Sequence, residues 1–275
     1  MAVRRFRALL AYDGTGYSGF QRQANAIPTI QAEVETAIVK VTAQTVTVIG
    51  AGRTDTGVHA TGQVIAFDVE WAHSDRALLA ALNQALPEDI ALQDIRQQEG
   101  FHPRFDAVSR IYKYALYQSP ARQPLLRNRA WHIYHPLNGD IMAQCAALLI
   151  GRQNFAALGK PAHGDNTVRT IHRAQWERSA AANAESWTFT VEADGFLQHM
   201  VRRMVSWMVV AGLGRLSVEQ FAEAIQQKTM LHIALAPPQG LALAQVKYVD
   251  DGITVAGDLA LADILKCGRD ARGGL

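Results

Sequence analysis

Thr45-Val46-Thr47-Val48-Ile49-Gly50-Ala51-Gly52-Arg53-Thr54-Asp55-Thr56-Gly57-Val58-His59-Ala60, followed by Gln63-Val64-Ile65-Ala66-Phe67-Asp68-Val69, decides how the first half of the chain is read. Thr45 to Ile49 and Gln63 to Val69 are rich in β-branched and aromatic residues and predict two strands. Between them a glycine-rich turn sets the carboxylate of Asp55 two residues from the guanidinium of Arg53, on a loop held by rigid elements, where chemistry usually sits. Asp, Thr and Gly are also what a tight turn needs, because short polar side chains bond nearby backbone N–H groups and glycine tolerates positive φ. Spacing alone leaves both readings of Asp55 open.

Outward from that loop, Arg5 to Tyr12 predicts a strand. Thr29 caps a helix whose apolar positions Ile30, Val34, Ala37, Ile38 and Val41 follow the helical period. Ser74 caps a second helix carrying Leu78, Leu79, Leu82 and Leu86, stopped by Pro87, and Ile90 to Ile95 adds a strand. The second half repeats the rhythm: strand Ser109 to Tyr117, helix Asp140 to Ile150, strands Thr167 to Glu177 and Ser186 to Ala193, helices Leu197 to Ala211 and Val218 to Lys228, strand Leu241 to Val249. Strands mixed with helices of ordinary length, without regular parallel crossovers, predict an α+β fold with helices on one side of a largely antiparallel sheet.

The chain has 275 residues, 49% of them hydrophobic, enough for a well-buried core in one large domain or two subdomains. Cys145 and Cys267 have no disulfide spacing and point to a reducing compartment. No signal-peptide pattern opens the sequence, and the most apolar helical stretch, Phe196 to Leu213, is interrupted by Arg202 and Arg203, so no membrane span is expected and a cytoplasmic location is. The net charge is only +2, but Arg104, Arg110, Lys113, Arg122, Arg127 and Arg129 face Asp106 alone between Phe101 and Ala130, with Tyr112, Tyr114 and Tyr117 interleaved. Arginine outnumbers lysine 21 to 6, a bias toward the planar fork that binds phosphate and stacks on bases. RNA contact is the expectation.

Gly14-Thr15-Gly16-Tyr17-Ser18-Gly19 formally matches a dinucleotide-binding fingerprint. That fingerprint opens a helix at once, whereas here the chain runs through Phe20 to Pro28 first, so the nucleotide reading is rejected. A glycine-rich loop with Arg22 remains, either an approach for RNA backbone or a plain turn. In Ser109 to Tyr117 the two-residue period puts Arg110, Tyr112 and Tyr114 on one face, which is either core or a stacking platform for an unpaired base. In the helix from Leu197, His199, Arg202 and Ser206 share a face. Arginine in so apolar a segment is costly unless it meets a carboxylate. Trp131-His132-Ile133-Tyr134-His135 has two histidines but no acidic or cysteine neighbour, so no metal is expected.

The Gly50 to Ala60 stretch resembles, almost letter for letter, the G-x-G-R-T-D-x-G-V-H-A signature of the tRNA pseudouridine synthase A family. Ala11 to Gln21, Phe101 to Phe105, Arg110 to Tyr114, Arg169 to Ile171, Gly195 to Arg202 and Ala236 to Leu243 resemble that family in the same order, over a span from about Arg5 to Val249. The resemblance implies two similar α/β halves sharing a continuous, largely antiparallel sheet, with an active cleft between them. We expect residues 1–105 to carry the catalytic Asp loop, 106–250 the Tyr strand and Arg helix, and 251–275 to form a tail of unknown role. It further implies isomerisation of uridine to pseudouridine at positions 38, 39 and/or 40 of the tRNA anticodon stem-loop, without cofactor, by a homodimer.

Carried onto this sequence, the resemblance makes Asp55 the nucleophile, Arg202 its partner and Tyr112 the residue that contacts the target uracil. Ser206-Trp207 departs from the small residues usual beside that arginine. Asp55 attacking the sugar, attacking the base or abstracting a sugar proton are all open. The target base must leave the helical stack, at a cost of a few kcal/mol that phosphate contacts and stacking offset, with Arg53, Arg104, Arg110 and Arg22 as the candidate RNA contacts. Two other classes compete: a non-catalytic RNA-binding module, and a carboxylate-dependent nucleoside hydrolase that would release free uracil.

Overall fold

The computed structural model describes residues 2–24, 27–181 and 184–249; the expected tail, 251–275, lies outside them, as does Cys267. It is a mixed α/β protein that divides into two compact units. One runs to Arg110 and resumes at Ala242; the other runs from Ile111 to Leu241.

In the first unit, β1 (Arg4–Tyr12) lies antiparallel between β4 (Ile90–Gln97) and β3 (His59–Val69). The short β2 (Ile49–Gly50) pairs antiparallel with β3, and Ala242 and Leu243 of β10 (Leu241–Tyr248) pair parallel with His59 and Ala60. Two helices complete the unit, α1 (Ile30–Thr42) and α2 (Asp75–Ala85). Both caps expected from sequence are present: Thr29 Oγ1 accepts the Ala32 N–H and Ser74 Oγ the Ala77 N–H.

One expected strand is absent. Thr45 to Val48 is irregular, and only Ile49–Gly50 pairs. The cause is a buried carboxylate: Val48 donates its N–H to Glu35 Oε1 at 3.0 Å and its carbonyl accepts from Gln31 Nε2 at 3.1 Å. Side chains of α1 thus take the backbone groups a neighbouring strand would have used.

In the second unit the strand order is β5 (Ala107–Gln118, in this unit from Ile111), β9 (Ala184–Ala193), β8 (Val168–Ala181) and β7 (Gly151–Asn154), with β6 (Trp131–Ile133) parallel to β5. The long β8–β9 pair and the β7–β8 pair are antiparallel. Helices α3 (Gly139–Ala147), α4 (Met200–Gly212) and α5 (Val218–Gln226) pack against one another. Asn138 and Ser217 cap α3 and α5, the latter through a reciprocal bond with Gln220. Among the described residues no helix is long and apolar enough to cross a membrane.

Candidate active site

The loop after β2 is fixed from below by buried polar groups. Ala51 donates its N–H to the Val64 carbonyl, and fully buried Gln63 grips Gly52 twice: its Nε2 donates to the Gly52 carbonyl at 2.7 Å and its Oε1 accepts the Gly52 N–H at 3.3 Å. Two residues on, the buried Thr54 hydroxyl lies 2.8 Å from the Tyr12 hydroxyl. Burial pushes the Tyr12 phenol up to about 12, against the opposing pull of its hydrogen bonds to Thr54 and Gln63. The Thr54 carbonyl accepts from the Phe20 N–H, the Asp55 carbonyl from Val58, and the Tyr17 carbonyl from Gly57, whose φ of 76° only glycine adopts readily. Asp55 therefore emerges, half-buried, from a turn held at Gly52, Thr54, Gly57 and Val58.

The fingerprint-like loop is the other half of that support. A Cβ on Gly19, at φ 89°, would stand 2.6 Å from the Thr54 carbonyl oxygen and 3.3 Å from the Asp55 carbonyl carbon; one on Gly14 would stand 2.0 Å from the Val58 carbonyl oxygen. A Cβ on Gly16 would meet nothing within 4 Å. Gly14 and Gly19 are thus seats for the two ends of the Asp55 turn. Close backbone contact with a neighbouring protein segment, a use named by neither reading of this loop, is what these two glycines provide.

In the second unit, Tyr112 and Tyr114 both point inward from β5. Tyr112 meets the Phe196 ring edge-on at 5.0 Å. Tyr114 donates its hydroxyl to the Pro237 carbonyl at 2.8 Å and is shifted well above the ordinary phenol range, by burial first, with the nearby Arg202 opposing. Arg202, in the first turn of α4, donates Nε to the Ala236 carbonyl at 2.8 Å. Arg203 donates Nη1 to the Leu158 carbonyl at 2.6 Å, and desolvation, then the adjacent Arg202 charge, lowers its pKa. The Ser206-Trp207 departure is absorbed by packing: Trp207 is fully buried with Phe221 edge-on at 5.9 Å, and Ser206 bonds back to the Arg203 carbonyl.

A family profile described as tRNA pseudouridine synthase matches residues 8–106 and 145–249. The chain belongs to that family. A tRNA pseudouridine synthase A of Neisseria gonorrhoeae is 41% identical over 251 residues, covering 89% of this chain and 92% of its own length. The proteins of the same name from Methylacidiphilum infernorum and a Thermoanaerobacter species are 39% and 37% identical, covering 91% and 90% of this chain and 98% and 100% of theirs. The family isomerises uridine to pseudouridine, and this member is an isomerase.

The two matched stretches of this pseudouridine synthase contain Arg22, Arg53, Asp55 and Arg104 in the first and Arg202 in the second; Arg110 and Tyr112 fall between them. Within the first unit, Arg53 is exposed with Nε donating to Gln21 Oε1, and Arg104 is exposed. Arg22 Nη1 lies 2.9 Å from Oε2 of buried Glu35, an ion pair whose angle falls outside a hydrogen bond. Arg110 spends its donors on the carbonyls of Ala51, Arg104 and Ala107, stapling the Asp55 loop to the segment before β5. Tyr12, Thr54 and Gln63 were not singled out from the sequence. The available signal was a lone glutamine opening the apolar run Val64 to Phe67, since a buried polar residue must find partners.

Proposed function

We propose that this synthase modifies positions 38, 39 and/or 40 of the tRNA anticodon stem-loop, with Asp55 as its nucleophile. The observation that carries the reading is the over-determined seat of Asp55, in a chain of this family: the backbone on either side of this half-buried residue is held by Gln63, Tyr12, Gly14 and Gly19. The N1–C1′ bond of uridine breaks, the uracil turns, C5 bonds to C1′, and the C5 proton is lost while N1 gains one. Mass is unchanged and no electron or group enters, so the reaction calls for no cofactor.

In this proposal residues 1–105 and 106–250 are two similar halves sharing a sheet, and the cleft between them admits one everted uridine. Arg202 meets Asp55 there and orients its carboxylate by a charge-assisted hydrogen bond. Tyr112 stacks on the uracil. Arg53 and Arg104 take phosphates, joined by whatever donors Arg22 and Arg110 do not already commit inside the protein. A homodimer working in the cytoplasm supplies the rest of the tRNA surface.

The test is Asp55→Asn, assayed for tRNA binding and for turnover by mass-resolved mapping of pseudouridine. Lost turnover with binding within about threefold of the parent supports the proposal; retained pseudouridine ends it. Abasic RNA with free uracil from the parent enzyme would mean hydrolysis instead.

A further inference from the structure

Phe105 is 77% exposed, and a single exposed aromatic is ordinarily unremarkable. Its turn is not ordinary. The His102 N–H donates to Asp106 Oδ2 at 2.8 Å, and the Asp106 N–H returns to the His102 carbonyl at 3.1 Å. His102 Nδ1 accepts the N–H groups of both Arg104 and Phe105 at 3.2 Å, and the imidazole lies under the Phe105 ring with centroids 4.2 Å apart and planes 25° from parallel.

The turn is also anchored at its base. Tyr248 donates its hydroxyl to the Pro103 carbonyl at 2.7 Å, and Arg5 donates to the Phe101 carbonyl at 3.2 Å. One Arg110 nitrogen, Nη2, reaches both the Arg104 carbonyl at 2.7 Å and the Ala51 carbonyl at 3.3 Å, which ties the turn to the loop of Asp55. The result is a flat aromatic face, stiffened from beneath, turned to solvent, next in sequence to exposed Arg104 and tethered to the loop that carries exposed Arg53. Rigid exposed aromatics beside arginines are how proteins hold unpaired bases: the ring takes the base and the cations take its phosphates.

We propose that Phe105 is a stacking platform for the RNA base next to the target uridine, the base that loses its neighbour when the uridine is everted. The inference rests on the placement of the reaction at Asp55. It adds a residue that acts on the eversion equilibrium and leaves the bond-breaking step alone.

The experiment uses an anticodon stem-loop with 2-aminopurine beside the target, mixed with full-length enzyme in an Asp55→Asn background so that no product forms. Stacking on Phe105 quenches the fluorophore. Phe105→Ala is expected to remove the quenching and, in the otherwise unaltered enzyme, to raise KM about ten- to hundredfold with kcat within about threefold and an unchanged thermal midpoint. Phe105→Tyr is expected to retain both signals, whereas Phe105→Leu, apolar but without a π-face, is expected to lose them. Unchanged quenching and KM in Phe105→Ala would overturn the proposal. So would a change in sedimentation that accounts for the lost affinity, which would make Phe105 a contact between protein chains. Turnover by Asp55→Asn would sink the nucleophile assignment while leaving the quenching at Phe105 interpretable.

Discussion

Replacing Gly19 by alanine tests whether the glycine-rich loop presets the reactive carboxylate. The new Cβ would stand 2.6 Å from the Thr54 carbonyl oxygen, and that atom is backbone, with no flexible side chain to swing aside. To regain ordinary contact the Thr54–Asp55 peptide must retreat by roughly 0.8 Å, a displacement of the size that costs reacting groups about a hundredfold in rate. The φ of 89° adds about 1–3 kcal/mol of strain, or about 3–10 °C in the thermal midpoint for a protein of this size. Loss of tritium from C5 of labelled tRNA, under single-turnover conditions, should therefore slow about a hundredfold in Gly19→Ala while tRNA affinity stays within about threefold. Gly16→Ala is the internal control, since its Cβ meets open space and its effect should be negligible. A folded Gly19→Ala enzyme with near-parental rate, or a Gly16→Ala variant equally impaired, would refute the reasoning.

The remaining predictions concern the polar support beneath the same turn. Thr54→Val keeps the shape and removes the hydroxyl that meets Tyr12 at 2.8 Å, and should cost about 1–2 kcal/mol of stability together with a fall in kcat; Thr54→Ser should restore both. Denaturant unfolding and single-turnover rates would read this out, and equal behaviour of the two variants would count against it. Tyr12 titrates at about 12 in the fold against about 10 in the unfolded chain, so its contribution is complete below pH 10 and is lost as pH rises from there through about 12. Tyr17 and Tyr114 are raised in the same direction and add to the slope. The thermal midpoint should fall over this alkaline window, and less steeply in Tyr12→Phe; identical slopes would show that Tyr12 does not carry the effect.

Much of this was legible from local signals. Thr29 and Ser74 announce helix starts because their hydroxyls meet the N–H three residues on, and the Gly50–Ala60 letters place Asp55 on a loop between strands. What failed was non-local. Thr45 to Val48 has strand composition, but its outcome was set by Glu35 and Gln31 on a helix earlier in the chain. The Gly14–Gly19 motif follows a strand without opening a helix at once, and nothing local could reveal that two of its three glycines face the carbonyls of residues 54 and 58. Arg22 and Arg110 look like surface cations in the sequence, and only the coordinates show guanidinia engaged with Glu35 and with three carbonyls. The short β6 and β7 carry too few residues for periodicity to register.

The return of β10 to the first unit has a consequence for biosynthesis. Buried Arg7 lies with its guanidinium 4.8 Å from the Phe101 ring centroid and 4.2 Å from that of Tyr248, while the Ala244 carbonyl sits where a side chain on Gly62 would be, 2.1 Å from its Cβ position. A ribosome delivers Asp55 early and Tyr248 almost two hundred residues later, so during translation the His59–Ala60 end of β3 waits for its β10 partner and Arg7 has the Phe101 ring without that of Tyr248. Completion of this unit's sheet therefore waits on the segment from Leu241 to Tyr248.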